Sequence, residues 1–138
     1  MMFPDIKLKK SWTSDQVSMI SIIDDDRSVR EAVKSLVRSL GYEAVTFASA
    51  EEYLGADRAH DSECVITDVR MPGMTGIDLQ DRLIADGYRR PIIFMSALSA
   101  EDAGATAASR FLRKPFSDER LIDCLDQALK VSAPNSRQ

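Results

Sequence analysis

A few side chains in this sequence have the types and positions needed to handle a phosphoryl group or a metal ion. Asp24, Asp25 and Asp26 follow the apolar run MISII, Asp68 follows ECVIT, Ser96 follows PIIFM, and Lys114 comes just after the short stretch RFL. Carboxylates that share a site raise one another's pKa unless a cation neutralises them. A hard divalent ion such as Mg²⁺ takes oxygen ligands, commonly a few carboxylates, water and a phosphate oxygen. A lysine and a hydroxyl facing such a centre balance and hydrogen-bond a phosphoryl group. A carboxylate is then the natural nucleophile, and its product is an acyl phosphate.

Each residue also has a plainer explanation. Asp26 suits the start of a helix. Asp24 or Asp25 alone is an ordinary loop residue, and Asp68 is a turn former before MPG. Ser96 alone carries no information, and Lys114 is one of 18 basic residues. Their joint placement at four strand ends outweighs these separate accounts.

The placement follows from the elements. Ser18 to Ile23 reads as a strand. Residues 28–40 read as a helix, with Val29, Val33, Leu36, Val37 and Leu40 on one face and Arg30, Lys34 and Arg38 on the other, closed by Gly41. Strands come next at 42–47, 63–67, 91–95 and 110–112. Helices are expected from Ser49 to Leu54, Ile77 to Ala85, Ala100 to Ala108 and Asp118 to Lys130, with Ser117 as the last cap. Strand and helix alternate five times, which argues a parallel sheet covered on both faces. In such sheets ligands bind at the carboxyl ends of the strands, where strand order reverses. All the residues above belong to that edge.

The segments IIDDD, VITDVRMPGMTG, FMSA and FLRKPF resemble those of the receiver domain of bacterial two-component response regulators, most closely the nitrogen-fixation regulator type. The resemblance runs from residue 18 to about 130, with four motifs in order. It implies a flavodoxin-like (βα)5 doubly wound sheet with strand order 2-1-3-4-5. It implies that a sensor histidine kinase or phosphotransfer protein phosphorylates Asp68. Asp24 and Asp25 would hold Mg²⁺ (or Mn²⁺) together with Asp68 and the backbone carbonyl of Arg70. Ser96 and Lys114 would grip the phosphoryl oxygens, Ser96 would move inward, and Phe111 would change rotamer. The Lys114–Pro115 bond is often cis in the family. Such a domain is a phosphoacceptor rather than a turnover enzyme.

The sequence departs from the pattern in one region. Ser96 and Lys114 are closer than usual by about one helical turn, so a shortened fourth helix is expected. That helix borders the family's output and dimer surface.

The remaining expectations concern organisation. Residues 1–17 read as a flexible extension, 18–130 as the receiver and 131–138 as a tail. With no effector segment after residue 130, the chain reads as a stand-alone receiver whose output is contact with an unidentified downstream protein, with a homodimer among the assemblies the resemblance allows. A net charge of −4 gives no footprint for nucleic acid, and no apolar run is long enough to span a bilayer. A cytoplasmic setting suits Cys64 and Cys124, which read as buried reduced thiols. His60, in AHDSE, reads as an exposed loop residue and not as a phosphodonor. Arg70 and Leu98 flank the site and bear on phosphoryl lifetime. Two rivals remain: a haloacid-dehalogenase-like phosphohydrolase with Asp24 as nucleophile in Asp24-x-Asp26, and an adaptor that works without phosphorylation.

Overall fold

The computed structural model describes residues 18–57, 61–99, 103–104 and 110–132, with side chains through Lys130. Strand β1 (Met19–Ile23) leads into helix α1 (Arg27–Ser39), then β2 (Glu43–Phe47), α2 (Ala50–Leu54), β3 (Cys64–Asp68), α3 (Gly76–Ala85), β4 (Ile92–Ser96), β5 (Arg110–Arg113) and α4 (Asp118–Ser132). The five strands form one parallel sheet in the order β2-β1-β3-β4-β5. This is the flavodoxin-like arrangement, and its order reverses at β1.

Burial explains why the three central strands read as unbroken apolar runs. β1, β3 and β4 are buried at every position, whereas the edge strands β2 and β5 are partly exposed. Strands covered on both faces have no polar alternation. Ile20, Ile22, Cys64, Ile66, Ile93 and Met95 pack under Val33 and Val37 of α1 and Leu121 and Leu125 of α4. Ile23, Val65 and Phe94 pack on the other face against Tyr53 of α2 and Leu79 and Leu83 of α3. Ser21 is the one hydroxyl inside MISII, and its Oγ bonds to the buried Ser62 Oγ.

Local signals set the helix ends. The Asp26 side chain caps α1, accepting from Ser28 N at 2.8 Å and Val29 N at 3.3 Å. Gly41 supplies the positive φ (97°) that turns the chain back into β2. Leu40, expected on the buried face, lies past the last helical residue and is 38% exposed. The helix stops one residue short of returning it to the core.

The helix expected over 100–108, with its shortening, falls largely outside the described residues; of it, Ala103 and Gly104 form a turn, with Ala103 N donating to Ser99 O at 2.9 Å. The expectations for residues 1–17 and His60 also lie outside the described residues, as does most of the 131–138 tail. No helix among the described residues is long and apolar enough to cross a membrane.

Candidate functional site

The reversal of strand order leaves a crevice beyond the carboxyl ends of β1 and β3. β1 ends at Ile23, so Asp24 enters that crevice at once. β3 ends on Asp68, which pairs in register with Met95 of β4. Val69 N donates to Met95 O at 2.9 Å, prolonging the sheet one step past Asp68. Asp24, Asp25 and Asp68 each bring a carboxylate oxygen within 4.8 Å of the others. Asp24 and Asp68 are buried, and Asp25 faces solvent.

Lys114 enters from the loop after β5. Its Nζ lies 2.7 Å from Asp24 Oδ2 and 3.6 Å from Asp68 Oδ2. Its backbone N donates to Ser96 O at 2.7 Å, which fixes the two residues to each other, and the Lys114–Pro115 bond is cis. Burial opposes the lysine's charge, but the Asp24 hydrogen bond and the two carboxylates outweigh it and raise its pKa. Lys114 is thus an ammonium lying among the carboxylates.

Ser96 is buried, and its Oγ accepts from Leu98 N at 3.1 Å, which leaves its O–H as a donor. Phe111 pairs with Phe94 across β4 and β5 and packs half-buried on the α2–α3 side of the sheet, the side that Ser96 shares by strand alternation. Arg70 has an exposed side chain in the loop after β3, two residues past Asp68. The structure thus brings together Asp24, Asp25, Asp68 and Lys114, sets Ser96 beside them, and leaves Phe111 behind the site and Arg70 on its rim.

The donor set suits a small hard cation. Three carboxylates converge, one of them open to water, and among the described residues no histidine or cysteine joins them. Two features do not suit the phosphohydrolase alternative. Asp26 is used as the helix cap, and both Asp24 oxygens are engaged, Oδ1 by Asp26 N at 2.8 Å and Oδ2 by Lys114.

Burial pushes the Asp68 carboxyl up from 3.8 to about 6; Asp24 and Asp25 add to the rise, and Lys114 opposes it. The unfolded chain releases this proton near pH 4, while the folded protein holds it until about pH 6. The folded state therefore binds more protons across that window, and stability falls as pH rises through it. Asp68→Asn removes the charge and is expected to stabilise the metal-free protein near neutral pH by on the order of 2 kcal/mol. The gain should vanish below about pH 4, where both forms are neutral. Urea denaturation of both proteins across this range checks it; an Asp68→Asn variant less stable at neutral pH contradicts it.

Sequence reasoning missed three residues. Arg30, expected on the solvated face of α1, is half-buried and donates to Asp24 O at 2.7 Å. Glu51 accepts from Met74 N at 2.9 Å. A Cβ on Gly76 would stand 2.4 Å from Asp68 O. All three make their contact outside their own helix, and MPGMTG signalled only that the loop needs glycine.

A doubly wound sheet with an acidic crevice at its switch point and a lysine across from it defines a phosphoacceptor class. Residues 20–126 match the response regulator receiver domain, and the chain belongs to that family, the phosphoacceptor domains of two-component signalling. It is 43% identical over 131 residues to the response regulator protein TodT of Pseudomonas putida, covering 90% of this chain and 56% of TodT. Response regulator StyR superposes with a TM-score of 0.73 at 38% identity, over 86% of this chain and 62% of StyR. Response regulator TrrA of Thermotoga maritima, solved in complex with Mg²⁺-BeF, gives a TM-score of 0.73 at 27% identity, over 82% of this chain and all of TrrA. The chain spans about half the length of the curated relatives it matches.

Proposed function

We propose that this receiver takes a phosphoryl group on Asp68 from a phosphohistidine of a kinase or phosphotransfer protein. The observation that carries this is the placement of Lys114 Nζ, 2.7 Å from Asp24 and 3.6 Å from Asp68, inside the carboxylate cluster. In the transfer an Asp68 oxygen attacks phosphorus as the P–N bond to histidine breaks. The leaving imidazole nitrogen keeps the electron pair and takes a proton from solvent. Lys114 and the Ser96 hydroxyl face the charge that develops on the phosphoryl oxygens.

Asp24, Asp25 and Asp68, with the Arg70 carbonyl, would hold Mg²⁺, which supplies positive charge to the incoming phosphoryl group. TrrA, from the same family, was solved in complex with Mg²⁺-BeF, which supports this assignment. Elsewhere the chain's own residues act. Lys114 holds Asp24 in place and balances the acyl phosphate, and Ser96 turns toward the added oxygens. Phe111 takes up the space this opens on the same face of the sheet. Phosphorylation and loss of the group are catalysed by the domain itself. The output is a protein contact in the cytoplasm rather than direct DNA binding, a reading supported by the net charge of −4.

The test is intact-mass spectrometry after incubation with acetyl phosphate and Mg²⁺, beside Asp68→Asn. A single phosphoryl adduct on the wild type, absent from the variant and absent without Mg²⁺, is expected. Adduct on Asp24 would favour the phosphohydrolase alternative. No adduct under any condition would favour the phosphorylation-independent adaptor.

A further inference from the structure

Two charged side chains outside the carboxylate cluster reach the loops that carry it. Arg30, on α1, donates from Nη1 to the carbonyl of Asp24 at 2.7 Å. That carbonyl belongs to the peptide unit that begins Asp25, so holding it also sets where Asp25 starts. The Asp24 N donates to Phe47 O at 3.1 Å, and its Oδ1 accepts from Asp26 N. With the amide and the carboxylate already bonded, Arg30 secures the last polar group of Asp24.

Glu51, on α2, does the complementary thing on the other side. Its Oε2 accepts from Met74 N at 2.9 Å, in the loop that joins Asp68 to α3. A Cβ on Gly73 would lie 2.6 Å from the same oxygen, and Gly73 has φ +80°. Glycine there supplies both the backbone conformation and the room for the carboxylate. Met71 is buried in the core, so the loop is anchored on one side by packing and on the other by Glu51. A cation thus holds a carbonyl in one loop, and an anion holds an amide in the other. Charge-assisted bonds of this kind are stronger than neutral ones.

We propose that Arg30 and Glu51 are positioning residues, which set the spacing of Asp24 and Asp25 on one loop and of the stretch after Asp68 on the other, and so set the affinity of the cluster for Mg²⁺. The proposal rests on the phosphoryl-transfer reading for the identity of the metal. Groups that orient metal ligands from outside typically affect metal affinity by about 10-fold or more when removed.

The experiment measures Mg²⁺ binding by titration calorimetry, Met74 amide exchange by NMR, and melting temperature, for Arg30→Met, Arg30→Lys, Glu51→Ala and Glu51→Gln. Glu51→Ala and Arg30→Met are expected to weaken Mg²⁺ binding about 10-fold. Glu51→Ala should also speed Met74 exchange by about 10-fold or more, as an unbonded amide would. Glu51→Gln keeps an oxygen acceptor for Met74 but not its charge and is expected to lose clearly less than Glu51→Ala on both readouts, and Arg30→Lys to recover part of the affinity. A lowered melting temperature with Mg²⁺ affinity unchanged in the folded variants would show packing alone and overturn the proposal. So would equal losses for Glu51→Gln and Glu51→Ala. A wild type that binds no Mg²⁺ would sink the metal assignment and the proposal with it, whereas normal wild-type binding with unaffected variants would sink the proposal alone.

Discussion

Lys114→Met is expected to lower the stability of the metal-free protein by about 3 kcal/mol near neutral pH, against less than about 1 kcal/mol for Arg90→Met. The two lysine and arginine bridges differ in burial. Arg90 pairs with Glu63 across side chains that are 43% and 34% exposed. Lys114 is 21% exposed, and its partner Asp24 is fully buried. Removing the ammonium leaves the Asp24 carboxylate in the interior with Asp68 and Asp25 beside it and its Oδ2 without the lysine. An uncompensated buried charge costs far more than a solvated pair returns. Protons can replace the lysine, because Asp68, whose pKa burial raises and Lys114 holds down, then keeps its proton to a higher pH than the unfolded chain does. The folded variant binds more protons through the mildly acidic range, so its deficit grows as pH rises and shrinks toward about pH 4. Mg²⁺ can replace the lysine as well. A ligand that binds only the folded state at about 100 times its dissociation constant adds about 2.7 kcal/mol. Lys114 occupies Asp24 and Asp68 in the wild type and competes with the ion, so the variant should bind Mg²⁺ more tightly and the gap should narrow at a given Mg²⁺ concentration. Urea denaturation at neutral and mildly acidic pH, with and without the ion, measures all of this. A variant as stable as wild type at neutral pH without Mg²⁺, or a gap that Mg²⁺ leaves untouched, would contradict the role given to Lys114.

The residues that bring these charges together were legible in the sequence for a simple reason. Apolar runs characteristic of buried strands end abruptly, and in a parallel sheet the residues just past those ends meet at one edge. MISII stopping at Asp24, ECVIT at Asp68, PIIFM at Ser96 and RFL before Lys114 needed no distances to be read. The same logic placed the strands within a residue or so of their observed bounds, and Asp26 began α1 as its composition suggested. What stayed hidden is side-chain reach. Arg30 falls on the polar face of α1 by periodicity, yet its long stem brings the guanidinium back to Asp24. Glu51 looks like one of two acidic residues favoured in a helix's first turn; Glu52 does serve locally, accepting from Ala48 N at 2.6 Å, while Glu51 crosses to Met74. Periodicity says which way a residue faces along its own element. It does not say what another element has placed there.

Gly76→Ala is expected to cost about 3 kcal/mol and to slow phosphorylation of Asp68 by at least about 10-fold. Inside a helix, alanine usually stabilises relative to glycine by about 0.5–1 kcal/mol. Gly76 opens α3, with Thr75 and Asp78 forming a capping box around it, so helix propensity favours the substitution. Space does not. The added Cβ would lie 2.4 Å from Asp68 O and 3.1 Å from Val69 Cα. Both neighbours are backbone, and Gly76 N is bonded to Val69 O at 2.9 Å, so neither side can yield by rotating a side chain. Either α3 lifts from β3, losing the packing of Leu79 and Leu83, or the end of β3 shifts. The second response displaces Asp68 from Lys114 and Asp24. Gly55→Ala is the control. There the nearest atom to an added Cβ is Glu51 O at 3.5 Å, an ordinary contact, and no positive φ is involved. Gly55→Ala should be neutral or slightly stabilising, by a few tenths of a kcal/mol. Denaturation curves with the acetyl phosphate mass assay distinguish the two. A Gly76→Ala protein that is as stable as wild type and takes the phosphoryl group as fast would mean that the close approach of α3 to β3 does not position Asp68.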